Sequence, residues 1–198
     1  MRWFTSDQHF WHNNVIRYCD RPFASVEEMN EAMVANWNAM VHPEDTVVSV
    51  GDFSMAFRPV ELFTPRLVGH KTLVCGNHDF CHPAHKKSRT SEGRDKWTQE
   101  YVKNGWEHVV ESITTNLEGL ENPVNIAHLP YLGDDTDERH AKHRKEDNGL
   151  ILLCGHVHQK WKHKRTSKGT LMVNVGVDVW GFKPVNETEL VQYIRSVI

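Results

Sequence analysis

Seven residues of this chain carry metal-binding side chains and stand where an apolar run stops: Asp7, His9, Asp52, Asn77, His128, His156 and His158. The runs have about five residues each, the usual length of a strand. Residues 2–6 lead into Asp7-Gln8-His9, 46–50 into Gly51-Asp52, and 71–75 into Gly76-Asn77-His78-Asp79. Residues 123–127 lead into His128, and 150–154 into Gly155-His156-Val157-His158. Singly these are weak signals: Asp-x-His is an ordinary polar strand end, and Gly-Asn-His-Asp reads alone as a turn containing a His. Together they carry more, because the carboxyl ends of strands in a parallel or mixed sheet share one rim, where α/β proteins bind ligands. On extended backbone the two members of Asp7-x-His9 share a side, as do those of His156-x-His158. Asp7 and His9 could then grip one ion, and His156 and His158 could serve two neighbouring ions.

Three oxygen donors and four imidazoles, with no thiolate, suit first-row divalent ions such as Mn²⁺, Fe²⁺ or Zn²⁺. If Asp52 bridges two ions, each receives four protein ligands from this set of seven. Positions then stay open for water and substrate, as a catalytic site requires.

The elements that must position these residues are legible in outline. Ser25 followed by Glu28 forms a capping box, and Val26, Met29, Met33, Trp37 and Met40 recur at helical spacing as a core-facing stripe. A brief helix is expected over 59–63 and another over 97–103, stopped near Asn104-Gly105. Residues 109–117 and 123–127 predict two strands joined as a hairpin. Residues 170–175 predict a further strand ending at Gly176, and Asn186 with Glu189 caps a final helix faced by Leu190, Val191, Ile194 and Val197. Residues 81–96 are polar, with Lys86, Lys87, Arg89, Arg94 and Lys96, and read equally as a solvated loop or as a basic lid over an anionic substrate. Residues 131–149, with Asp134, Asp135, Asp137 and Glu138, read as loop; Lys160–Arg165 read as a charged hairpin tip.

At 198 residues and 39% hydrophobic content the chain suits one well-buried domain, 1–198. A formal charge of −3 gives no global attraction to nucleic acid or an anionic membrane. The longest apolar run, Leu150–Cys154, is far too short to span a bilayer, and the start lacks an apolar secretory segment, so a cytoplasmic location is expected. Four cysteines without a C-x-x-C pair suggest neither a disulfide framework nor a thiolate zinc site. Of the fourteen His, those at 42, 70, 108, 140 and 163 lack a strand-end context and read as surface residues.

The ordered set Asp7-x-His9, Gly51-Asp52, Gly76-Asn77-His78-Asp79, His128 and Gly155-His156-x-His158 resembles the five-block signature of calcineurin-like metallophosphoesterases. Short bacterial and phage-type members with a stretch similar to Asn174-Val175-Gly176-Val177-Asp178 are the most alike. The resemblance implies an α/β fold: a four-layer αββα sandwich, two mixed β-sheets packed face to face with helices outside. It implies one ion held by Asp7, His9, Asp52 and His158, and a second held by Asp52, Asn77, His128 and His156. Manganese is favoured for the two divalent ions, with iron, zinc or nickel as alternatives.

The implied reaction is phosphoester hydrolysis by direct attack of a hydroxide bridging the metals, with no covalent enzyme intermediate. His78 would protonate the leaving oxygen, and Asp79 would orient His78 or keep it protonated. His12 and Arg17 are candidate substrate contacts. Protein phosphatases of this superfamily continue Gly-Asp with Val-Asp-Arg-Gly, whereas Phe53-Ser54 follow here, which argues against a protein substrate. The expected partner is a small phosphodiester of nucleotide or cyclic-nucleotide type, with no membrane. A phosphomonoesterase is the alternative; a nuclease acting through Lys160–Arg165 and a non-catalytic metal-dependent binding module rank lower.

Overall fold

The structure, a computed structural model, describes residues 1–131 and 138–198. In chain order its elements are β1 (Arg2–Thr5), α1 (Asn13–Tyr18), α2 (Val26–Met40), β2 (Thr46–Ser49), α3 (Arg58–Phe63), β3 (His70–Val74), α4 (Ser91–Lys103) and β4 (His108–Val110). There follow β5 (Ile113–Thr115), β6 (Val124–Ile126), β7 (Leu152–Cys154), β8 (His163–Arg165), β9 (Leu171–Asn174), β10 (Val185–Asn186) and α5 (Glu187–Val197). Asp134, Asp135 and Asp137, read as loop, lie outside the described residues. Just after them, Glu138–His143 form a kinked 3₁₀ turn.

Neighbouring residues of the central strands go to different cores. Trp3, Val47 and Leu73 pack with Val15 of α1, Met29, Met33 and Trp37 of α2, Val60 and Phe63 of α3, and Tyr101 of α4. Phe4, Val48 and Val74, each one position further on, pack instead against Val124, Ile126, Leu153 and Val173. That division is the two-residue strand period read out between two layers.

The first sheet has the order β10-β1-β2-β3-β4, parallel except for β10; the second has the order β5-β6-β7-β9-β8, in which β5 and β8 are antiparallel to their neighbours. Both are mixed sheets, packed face to face with α1 to α4 outside the first, as the sandwich requires. Leu190, Val191 and Ile194 of α5 join the core between the sheets. On the outer face of the second sheet, Ala127, Leu152, Cys154 and Met172 are covered by Tyr131 and Trp161.

The capping readings hold. Ser25 Oγ accepts from Glu28 N–H at 3.1 Å, and the Glu28 carboxylate accepts in return from Ala24 N–H at 2.7 Å. Asn186 Oδ1 accepts from Glu189 N–H at 2.8 Å. Two expectations are corrected. α4 begins at Ser91 rather than near Trp97, because Thr90 caps it through Gly93 N–H at 3.2 Å while its first turns carry only charged and small residues. An apolar stripe, the signal used to find helices, starts only at Trp97.

The stretch 109–117 is two strands, not one. β4 belongs to the first sheet and β5 to the second, so Glu111-Ser112 carry the chain between layers; only β5 and β6 form the hairpin. Among the described residues no helix is long and apolar enough to cross a membrane.

Candidate metal centre

The ligand-bearing turns are tied to one another before any ion is considered. Asp7 N–H donates to Gly51 O at 2.9 Å and His9 N–H to Asp52 O at 3.1 Å, which joins the ends of β1 and β2. The second sheet docks on the same rim: Val177 N–H donates to Ser6 O at 3.0 Å, and His156 N–H reaches Asp7 Oδ1 and Oδ2 at 3.1 and 3.0 Å. A Cβ on Gly76 would overlap Asp52 Oδ1, and one on Gly155 would overlap Ser6 Oγ, so only glycine lets these chain segments approach the carboxylates.

The pairs Asp-x-His and His-x-His do converge, though not along extended backbone. Asp7, His9, Asp52, His156 and His158 all have positive φ, at 59°, 52°, 53°, 71° and 50°. For residues with a Cβ the left-handed region costs roughly 1–2 kcal/mol each, and such strain persists where the surroundings over-determine it. The side chains therefore meet because the chain twists sharply at each of these Asp and His residues, types that enter the left-handed region more readily than other residues with a Cβ.

Two clusters result. Ligand atoms of Asp7, His9 and His158 lie within 4.8 Å of one another, as do those of Asp52, His128 and His156. Asp52 stands between them: its Oδ2 is 3.3 Å from His128 Nε2, 3.7 Å from His9 Nε2 and 3.9 Å from His78 Nε2. Its Oδ1 accepts from His78 N–H at 2.9 Å.

Several buried atoms have no hydrogen-bond partner among the described residues: both ring nitrogens of His9, Asn77 Oδ1 and His128 Nε2. Orphaned polar atoms cost about 1–3 kcal/mol each, and the His9 and His128 Nε2 atoms among them face one carboxylate, which fits a cation. His128 Nδ1 is held by Val50 O at 2.7 Å and His158 Nδ1 by Asp178 Oδ2 at 3.0 Å, an arrangement that fixes the tautomer and leaves Nε2 available to a metal.

The electrostatics agree. Burial pushes His128 down, but the Asp52 and Asp7 carboxylates outweigh it and hold it up at about 9. Burial likewise opposes the charge on His158, yet its bond to Asp178, with Cys19 and Asp7 nearby, raises it to about 10. For His156 burial and the neighbouring His128 outweigh the Asp52 carboxylate and lower it to about 3. The site attracts positive charge, which divalent ions would also satisfy.

Asp79 works differently from its expected role. Its oxygens accept from Asp52 N–H (2.9 Å), Phe53 N–H (3.1 Å), Gly76 N–H (2.8 Å) and the Tyr101 hydroxyl (3.4 Å). These bonds clamp the β2 and β3 turns together instead of orienting the His78 ring. Asp79→Asn presents an NH₂ group to backbone donors. It is expected to lower unfolding free energy by at least about 2 kcal/mol and to weaken metal uptake, read by urea unfolding and metal titration. A change in turnover with stability and metal content intact would restore the His78-tuning role.

Two further residues escaped sequence reasoning. Arg21, from the loop after α1, forms a two-pronged pair with Asp178 at 2.8 and 2.9 Å and donates to Gln8 O at 2.9 Å and Asp7 O at 2.7 Å. The side chains are 0% and 1% exposed, so the pair is fully dry. Asp178 follows β9 on the same rim as the candidate ligands, so the strand-end rule applied once more points to it; Arg21 has no such signal.

His12 stands over the site, its ring 5.3 Å from that of His9, whereas Arg17 is exposed and lies over the Tyr18 ring at 5.6 Å. His42, His70, His108 and His163 are exposed as expected, but the His140 ring is 6.3 Å from that of His156, at the edge of the centre.

Two mixed sheets whose common rim sets a carboxylate between two imidazole clusters are the layout of a metal-dependent phosphoesterase. The chain belongs to the calcineurin-like phosphoesterase superfamily, whose domain it matches over residues 4–191. It is 30% identical over 206 residues to the Gene 66 protein of Mycobacterium phage L5, covering 98% of this chain and 94% of that protein. It is 31% identical over 185 residues to the Gene 66 protein of Mycobacterium phage D29, covering 90% and 88%. Among solved structures, protein AQ665 of Aquifex aeolicus superposes with a TM-score of 0.68 at 23% identity over 98% of both chains, which shows a shared fold.

Proposed function

We propose that the chain hydrolyses a small phosphodiester, of nucleotide or cyclic-nucleotide type, at a centre of two divalent ions with manganese favoured. The observation that carries this reading is the placement of Asp52 between the two clusters, facing unpartnered His9 and His128 nitrogens. Asp7, His9, Asp52 and His158 would hold one ion, and Asp52, Asn77, His128 and His156 the other. Bound there, the ions would supply Lewis acidity toward the phosphoryl oxygens and a water of lowered pKa.

The chain's own groups do the rest. A cleft of about 440 Å³ opens on His9, His12, His78, His156 and His158. The His78 side chain is 40% exposed there, its main chain fixed by Asp52, so the ring can give a proton to the leaving oxygen. His12, beside His9, is placed to contact a phosphoryl oxygen. Among the described residues lining the cleft, Lys160 is the one Lys or Arg, so the protein itself adds little positive charge beyond the metal site for a second anionic group of a monoester.

The basic run beyond Lys160 is used within the protein. Lys162 Nζ sits 3.5 Å from the Trp180 ring centroid, and Arg165 binds the Gly169 and Val197 carbonyls at 2.9 Å. This favours a small substrate over a nucleic acid. Four free cysteines support a reducing, cytoplasmic setting, and the reading takes 1–198 as one catalytic unit.

With Mn²⁺, a diester is expected to be cleaved faster than the matching monoester. His78→Ala should lower kcat by about 10²–10⁴-fold for an alkyl leaving group and much less for 4-nitrophenolate, which leaves without a proton, at unchanged metal content. Preference for the monoester, or equal loss for both leaving groups, would sink the respective assignment.

A further inference from the structure

Exposed apolar side chains are concentrated beside the metal centre. Of seven large hydrophobic residues exposed among the described residues, Trp11, Tyr18, Met55 and Leu62 line the metal cleft or the groove that adjoins it. The groove, about 200 Å³, is formed by Phe10, Trp11, Met55, Ala56, Pro59 and Leu62 with Arg58, and Met55 belongs to both hollows. Exposing such groups is unfavourable, and an apolar patch continuous with a reactive centre marks a ligand surface.

Trp11 adds a second, independent sign. It is 53% exposed although its φ is 63°, a left-handed conformation that a bulky residue adopts at a cost. Asn30, buried on α2, holds it there by accepting from Trp11 N–H at 3.0 Å. The strained turn sets the indole on the groove that adjoins the cleft, its ring 6.2 Å from that of Phe63 and its outer side open to a ligand.

On the other side, Tyr18 ends α1, 62% exposed, with its carbonyl tied across the cleft to Gln159 Nε2 at 3.3 Å. Its ring stands edge-on to His12 at 6.4 Å and carries the Arg17 guanidinium. Asn14, Gln159 and Lys160 line the same cleft.

We propose that Tyr18 and Met55, with Trp11 at the adjoining lip, form the subsite for a planar heteroaromatic ring, the base of a nucleoside phosphoester whose phosphate lies at the metal centre. This rests on the phosphoesterase reading and names what the rest of the substrate is. A base satisfies the whole lining. Its face stacks on an aromatic platform, its edge pairs with amides such as Asn14 and Gln159, and its phosphate and ribose stay near Lys160 and His12. A plain alkyl chain would cover the aromatic rim but desolvate the Asn14 amide without pairing it.

Binding rather than turnover tests the subsite, so its failure is separable from failure of the reaction assignment. Mn²⁺-loaded protein is titrated calorimetrically with a nucleoside monophosphate and, separately, with inorganic phosphate. Base stacking is worth about 1–3 kcal/mol, so Tyr18→Ala should weaken the nucleotide by about 10-fold or more without weakening phosphate. Tyr18→Phe, which keeps the ring, should restore the affinity, and Trp11→Ala should act in the same direction as Tyr18→Ala. The proposal is overturned if wild type binds nucleotide no more tightly than phosphate, if Tyr18→Ala weakens both alike, or if a glycerol phosphate binds as tightly as the nucleotide.

Discussion

Asp52→Asn is expected to lose both ions together and to lower turnover by more than about 100-fold, beyond the 10–100-fold that loss of an outer-sphere partner costs. The substitution keeps the shape of the side chain and removes the charge. It also replaces one oxygen of a carboxylate that stands within 3.3–3.9 Å of His9, His78 and His128 with an NH₂ group, which cannot bind a metal. Because the carboxylate lies between the two clusters, neither ion would keep its full set.

Asn77→Ala removes a ligand assigned to one ion and should leave the other in place. Elemental analysis of purified protein, with Mn²⁺ titration, reads the difference directly. The fold itself should survive in Asp52→Asn, since the main chain at position 52 is held by Asp79 and by His9 N–H, and circular dichroism checks this. Two ions retained in folded Asp52→Asn would undo the bridging assignment.

Arg21→Met should give the largest loss of stability. Removing one partner of a dry ion pair strands the other charge, at a cost of about 3–5 kcal/mol. Here Asp178 would be stranded and the Asp7 and Gln8 carbonyls would lose their donors as well. For a chain of this size that corresponds to a fall in Tm of roughly 10 °C.

Asp178 also holds His158, so the ion bound through His158 should be weakened along with the fold. Adding Asp178→Asn to Arg21→Met removes the stranded charge and should recover part of the stability without recovering the metal affinity, a pattern that a double-mutant cycle in urea resolves. A loss below about 1 kcal/mol for Arg21→Met would mean that the pair is not what ties β1, β9 and the loop after α1 together.

Much of this protein is determined locally and can be read without coordinates. Strand existence at β1, β2, β3, β6, β7 and β9, the capped starts of α2 and α5, and the set of ligands at strand ends all follow from features within a few residues of one another: period, cap chemistry, and polar residues where apolar runs stop. The parallel ends of strands share a rim, so listing strand-end donors was enough to assemble the candidate metal set.

Other features were decided only by the tertiary structure. Sequence adjacency points Asp79 at His78, yet its partners include the amides of Asp52, Phe53 and Gly76, and the first two stand 27 and 26 positions away, beyond α3 and β3. Arg21 and Asp178 are 157 positions apart, and a long-range pair leaves no local trace. The passage of the chain between sheets at Glu111-Ser112 is hard to see because two polar residues between Val110 and Ile113 look like a brief polar interruption of one strand. The left-handed turns at Asp7, His9, Asp52, His156 and His158 use residue types that tolerate positive φ, but which Asp and His adopt it is decided by the surrounding hydrogen bonds. Local chemistry determines which groups are available at the ends of the strands; the packing of two sheets decides how those groups are aimed, because aim depends on contacts that no stretch of sequence contains.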